Sequence, residues 1–75
     1  MEPQPGQIYH HYKDASKHYK VIGIALHTET AERMVVYEPQ YQTDVAKLFV
    51  RPLAMFMEDV EVNGVKQPRF TLINN

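Results

Sequence analysis

The chain has 75 residues, enough for one small domain whose folding buries a little over 60% of the surface that its extended form exposes. That supports one thin core and leaves no room for a separate cofactor domain or an enclosed cavity of enzyme size. Eight Lys and Arg against nine Asp and Glu leave a net charge of −1, which argues against a strongly basic nucleic-acid binder, and zero Cys excludes a disulfide framework or a thiolate zinc site.

Residues 1–6 hold two prolines, a glycine and nothing apolar after Met1, so they are expected to fray as a flexible tail. The domain itself is expected over residues 7–73, with 74–75 as a frayed C-terminus. Met1-Glu2-Pro3-Gln4-Pro5 lacks the apolar stretch of a signal peptide, and no apolar run approaches the length of a membrane span. A cytoplasmic domain with no membrane contact is the expectation.

Ile8 to Tyr12 alternates as a strand, and Lys13-Asp14-Ala15-Ser16-Lys17 reads as the turn after it. Tyr19 to Thr28 is the clearest strand, with Ile22, Ile24 and Leu26 on one face and Tyr19, Val21, Gly23, Ala25 and His27 on the other. Both faces are largely apolar, which predicts a central strand covered on both sides for part of its length. Gly23 marks a bend or a close backbone approach. After a polar connection, Met34 to Tyr37 returns as an antiparallel strand that Pro39 ends, because proline cannot donate to the ladder. Residues 40–46 form the longest loop. Lys47 to Arg51 alternates again, with Leu48 and Val50 as the expected inward pair, and Pro52 to Met55 is suited to a single helical turn.

Asn63-Gly64 between alternating segments is the preferred connection of a two-residue type I′ hairpin. Its register sets Val62 opposite Val65, Glu61 opposite Lys66 and Glu58 opposite Arg69. Pro68 places that strand at a sheet edge. The spacing of these segments predicts an all-β fold, a small antiparallel barrel or sandwich of about five or six short strands. The expected core is Ile8, Ile22, Ile24, Leu26, Val36, Leu48, Val50, Phe56, Val60, Val62 and Phe70.

Several blocks in order carry a family resemblance: Gly6 to Lys13, Tyr19 to Gly23, Ala25 to Thr30, Val35 to Tyr37, Phe49 to Pro52 with Met55-Phe56, and Pro68 to Phe70. Together they resemble the bacterial family called domain of unknown function 1653, over nearly the whole domain. The resemblance implies an SH3-like β-barrel and supplies no activity. Phe49 stands where relatives often carry Trp, and Asp14 where Gly is common.

Four histidines raise the question of a metal, but His10 and His11 are adjacent and point to opposite strand faces, and no HxH or HxxxH spacing occurs. Neither a metal site nor any cofactor is expected. His27-Thr28-Glu29-Thr30 delivers an imidazole, hydroxyls and a carboxylate into one turn, a set suited to ligand binding, and equally ordinary as hairpin residues. Arg51, at a strand end before Pro52, offers a planar fork for carboxylate or phosphate, unless an ion pair with Glu29, Glu38 or Glu58 occupies it. Tyr12, Tyr37 and Tyr41 complete a candidate ligand-binding set with His27, Thr28, Glu29 and Arg51: if gathered, they form a shallow polar-aromatic groove. No phosphate-binding glycine loop and no GxSxG element is present.

The expectation is therefore a non-enzymatic binding or adaptor module for a peptide, a partner protein or a small anionic ligand. One alternative is a single-stranded nucleic-acid binder, whose stacking tyrosines are offset by the lack of positive charge. The other is a small enzyme, or an enzyme subunit, with a His27/Glu29 acid–base pair.

Overall fold

Alternating β-branched and aromatic residues put most of the chain into antiparallel strands. The computed structural model describes residues 2–74; Met1 and Asn75, which belong to the expected tails, lie outside the described residues. In chain order the elements are β1 (Ile8–His11), β2 (Asp14–His27), β3 (Glu32–Pro39), β4 (Phe49–Pro52), α1 (Leu53–Phe56), β5 (Asp59–Val62), β6 (Val65–Pro68) and β7 (Phe70–Leu72). A five-stranded sheet runs in the order β4-β3-β2-β1-β7, and β5-β6 form a separate hairpin. The fold is all-β and barrel-like, as the strand spacing predicts. Among the described residues the strands number seven, because β6 stops at Pro68 and the chain moves on to pair β7 with β1.

The hairpin forms in the expected register, with Val62 opposite Val65 and Glu61 opposite Lys66. Asn63 and Gly64 both take positive φ, 52° and 80°, which a type I′ turn requires. Beyond the ladder, Arg69 N–H donates to Glu58 O at 3.0 Å, and its guanidinium meets the Glu58 carboxylate at 2.9 Å. The helical turn also forms: Pro52 precedes it, Met57 N–H closes it on Leu53 O at 3.1 Å, and Leu53 and Phe56 are buried.

The first turn is tighter than expected. β2 begins at Asp14, opposite His11, so the chain reverses over Tyr12-Lys13 alone, and the β1–β2 register then jumps to His10 opposite His18. Residues 2–6 also depart from the expectation, because they pack on the sheet. Pro3 is buried, Gly6 N–H donates to Val21 O at 2.8 Å, and Glu2 pairs with Arg33. Composition favours fraying, but a buried proline ring and a guanidinium from β3 anchor the segment.

The expected core needs correction. The buried residues are Val21, Val35, Tyr37, Leu53, Phe56 and Phe70, with Tyr9, Tyr19, Ile24 and Phe49 packed against them. Phe56 and Phe70 are core as expected and Ile24 borders it, whereas Ile22, Leu26, Leu48, Val50 and Val62 are exposed and Ile8, Val36 and Val60 are half-buried. A β-bulge causes the change. Val21 faces Tyr37, yet Gly23 faces Val36 and Ile24 faces Val35, so Ile22 is the extra residue and the inward parity resets across it. β3 then turns Val35 and Tyr37 inward, and β4 follows with Phe49 opposite Tyr37 and Arg51 opposite Val35. β2 is central, but its Ile22 side is open. Rings bury roughly 150–250 Å² each, so the register that hides Tyr37 together with Val21 and Val35 prevails over one that hides Ile22 and Val36.

Candidate functional site

The inner face of the sheet carries Tyr19 on β2, Tyr37 on β3, and Phe49 and Arg51 on β4. His11 and Phe70 pair across β1 and β7 at the far side of the same sheet. Curvature brings its two edge strands together: the Arg51 guanidinium of β4 lies 5.4 Å from the ring centre of Phe70 on β7. His11, Tyr19, Tyr37, Phe49, Arg51 and Phe70 thereby line a cleft of about 200 Å³.

Most ring contacts here are edge-to-face: Tyr37 meets Tyr19, Phe49 and Phe70 at 5.6, 5.8 and 5.7 Å, and His11 meets Phe70 at 4.9 Å. Phe56 and Phe70 stack in parallel at 4.0 Å beneath. This lattice fixes the walls, because each ring has a preferred edge or face to offer its neighbour.

Arg51 Nε donates to the Tyr37 hydroxyl at 3.4 Å, a long bond that orients the guanidinium more than it holds it. Among the described residues its terminal nitrogens have no hydrogen-bond or ion-pair partner; the ion pairs there are Arg33–Glu2 and Arg69–Glu58. The partners considered for Arg51 on sequence grounds, Glu29, Glu38 and Glu58, do not take it up. His11 Nδ1 accepts the Lys13 backbone N–H at 3.2 Å. Burial, aided by the charges of Arg51, Arg69 and Lys13, pushes the His11 imidazole below its ordinary value and favours the neutral ring. The Tyr19 hydroxyl sits 3.0 Å from that of Tyr41, and burial together with this bond pushes the Tyr19 phenol well above its usual range.

Of the residues singled out in the sequence, Tyr37 and Arg51 stand together in this cleft, and Tyr41 touches its rim through Tyr19. Tyr12 is half-buried against the His11 ring at 4.7 Å, outside the lining itself. His27, Thr28 and Glu29 are exposed at the β2–β3 turn, roughly 17 Å along the strands from the Tyr37 row, and do not line the cleft. Sequence reasoning missed His11, Tyr19, Phe49 and Phe70 as lining residues. Their signal was the recurrence of rings on one strand parity, which the aliphatic residues on the other parity masked. Among the described residues, no group of three or more His, Cys, Asp or Glu gathers in a way that could hold a metal ion.

Two other hollows flank the domain. One of about 160 Å³ lies between Pro3, Tyr9, Phe56, Met57 and Phe70, and one of about 260 Å³ lies against the loop from Pro39 to Lys47. The first is lined by no charged side chain. The second has Glu38 and Lys47 in its walls, so neither sign of charge prevails there. The Arg51 cleft alone among the three combines ring walls with a guanidinium that has no acidic partner among the described residues.

A small antiparallel barrel with an aromatic, arginine-bearing cleft on its inner face is thus the class of protein that fold and site define. The sequence signature described as "Protein of unknown function (DUF1653)" matches residues 7–72, and the chain belongs to that family. It is similar to a crystal structure of a family member from Bordetella bronchiseptica, with 35% identity and a TM-score of 0.82 over 95% of this chain and 87% of that one. No curated protein matches it. No helix among the described residues is long and apolar enough to cross a membrane.

Proposed function

We propose that this protein is a non-enzymatic binding module whose cleft recognises an anionic group on a peptide, a partner protein or a small ligand. The observation that carries this reading is the Arg51 guanidinium: half-buried, aligned by Tyr37 and Phe70, and without an acidic partner among the described residues. A cation kept among rings and away from carboxylates is arranged to receive a negative charge from outside. Among the described residues no carboxylate lines the cleft to compete for it. His27, Thr28 and Glu29 lie on the exposed β2–β3 turn outside the cleft, where they suit contact with the distant part of a long ligand.

The test is a titration of isotope-labelled protein with acetate, inorganic phosphate, benzoate and a short acidic peptide, followed by amide chemical shifts. At least one anion is expected to move His11, Tyr37, Arg51 and Phe70 together to saturation, and Arg51→Gln weakens that binding at least about tenfold. Unmoved cleft resonances with all four sink the reading.

A further inference from the structure

The polar side chains lining the cleft retain protons to donate, and Arg51 alone among them carries a full charge. Arg51 gives its Nε–H to the Tyr37 hydroxyl, which leaves the two terminal nitrogens as an open fork and the Tyr37 proton available for donation. His11 Nδ1 is occupied by the Lys13 N–H, so in the neutral ring the proton sits on Nε2, which has no partner among the described residues. The neighbouring Arg69 is engaged with Glu58 and so adds little free charge. Fork, phenol and imidazole N–H together suit oxygen atoms that only accept.

Charge and size narrow the acceptor. One guanidinium without an acidic partner among the described residues balances one negative charge, and the lining holds no second Lys or Arg to meet another. Burial and the nearby Arg51, Arg69 and Lys13 favour a neutral His11 before any anion enters. A dry protein cavity of about 150 Å³ accommodates benzene. At about 200 Å³, with walls of Tyr19, Tyr37, Phe49 and Phe70, the cleft has space for one ring and one small planar anion. Walls whose rings already meet edge-to-face are suited to a further ring in the same arrangement.

We infer that the cleft takes a single carboxylate borne on a flat apolar ring, with the carboxylate in the Arg51 fork and the ring among the aromatic walls. This rests on the anion-binding reading above. Two sources present the same chemistry: a free aromatic carboxylic acid, or the C-terminal carboxylate of a chain that ends in an aromatic residue.

The experiment titrates the whole chain near neutral pH with benzoate, benzamide, inorganic phosphate, a short peptide ending in Phe, and the C-terminal amide of that peptide. Benzoate or the free-acid peptide is expected to saturate the shifts of His11, Tyr37, Arg51 and Phe70. Benzamide and the peptide amide are expected to bind at least about tenfold more weakly, the loss of a charge-assisted fork. Tighter binding by the peptide assigns the source to a chain terminus, and tighter binding by benzoate assigns it to a free acid. Arg51→Lys retains the charge and loses the fork, and Tyr37→Phe retains the ring and loses the hydroxyl; both are expected to weaken benzoate while the fold persists. Phosphate binding as tightly as benzoate, or benzamide doing so, overturns the inference and leaves a working cleft. Silence from every ligand brings down the anion reading with it.

Discussion

Gly23 and Gly64 occupy opposite kinds of backbone, and the same substitution separates them. At Gly23, in the β2 bulge, an added Cβ meets nothing within 4 Å, and φ lies outside the left-handed region. Gly23→Ala is therefore expected to raise stability by about 0.4–1 kcal/mol, mainly by restricting the unfolded chain, as read from the urea midpoint. Gly64 has equally open space but a φ of 80°, so Gly64→Ala is expected to cost about 1–2 kcal/mol. Equal effects at the two sites would contradict the turn and the bulge alike. Asn63-Gly64 was legible because both residues tolerate positive φ and because the charges at Glu58 and Arg69 agree with the register. Arg51 was legible as an unusual strand end. His11 was not, because adjacent histidines look alike until pairing decides which one faces inward.

Strand by strand, the sequence offers two apolar faces, and only the register chooses between them. On β3, Val35 is fully buried and Val36 half-exposed although the two are adjacent and chemically identical. Val35→Ala is expected to cost about 2–3 kcal/mol, methyl transfer plus the space left behind, and Val36→Ala less than about 1 kcal/mol. Thermal unfolding of the two variants measures the difference, and a larger loss at Val36 would reverse the assigned faces. The inversion escaped sequence reasoning for two reasons. The bulge at Ile22 shifts parity with no mark except Gly23. On β4, the inward choice of Phe49 and Arg51 over Leu48 and Val50 places a cation where aliphatic patterning predicts none. Such local violations concentrate where a protein does something other than fold, and here the violation is the cleft.

For the molecule as a whole, stability at this length is on the order of 4–11 kcal/mol, so one titrating group matters. His11 protonates less readily in the fold than in the open chain. Its contribution is complete above the ordinary histidine pKa of about 6.5 and is lost as pH falls below that value, because the unfolded state then takes up the proton more readily. The urea midpoint is accordingly expected to drop between about pH 7 and pH 5.5, and His11→Gln to flatten that slope. Glu2 and Asp14, held below the usual carboxylate range by Arg33 and Ser16 respectively, lose their contributions only at lower pH. A midpoint that rises on acidification over the same interval refutes the placement of His11. The all-β class was readable from strand spacing alone. Closure of β7 on β1 and the anchoring of residues 2–6 were not, because each depends on partners dozens of positions away.

The chain has five tyrosines and no tryptophan, and Tyr19, Tyr37 and Tyr41 are linked around the cleft through ring edges and one shared hydroxyl contact. Its ultraviolet emission is therefore dominated by the phenols, since the three Phe emit weakly and there is no indole to drain the excitation. If the cleft takes the proposed guest, its settling beside Tyr37 is expected to change that emission and the near-ultraviolet dichroism, which would report occupancy without dye or label.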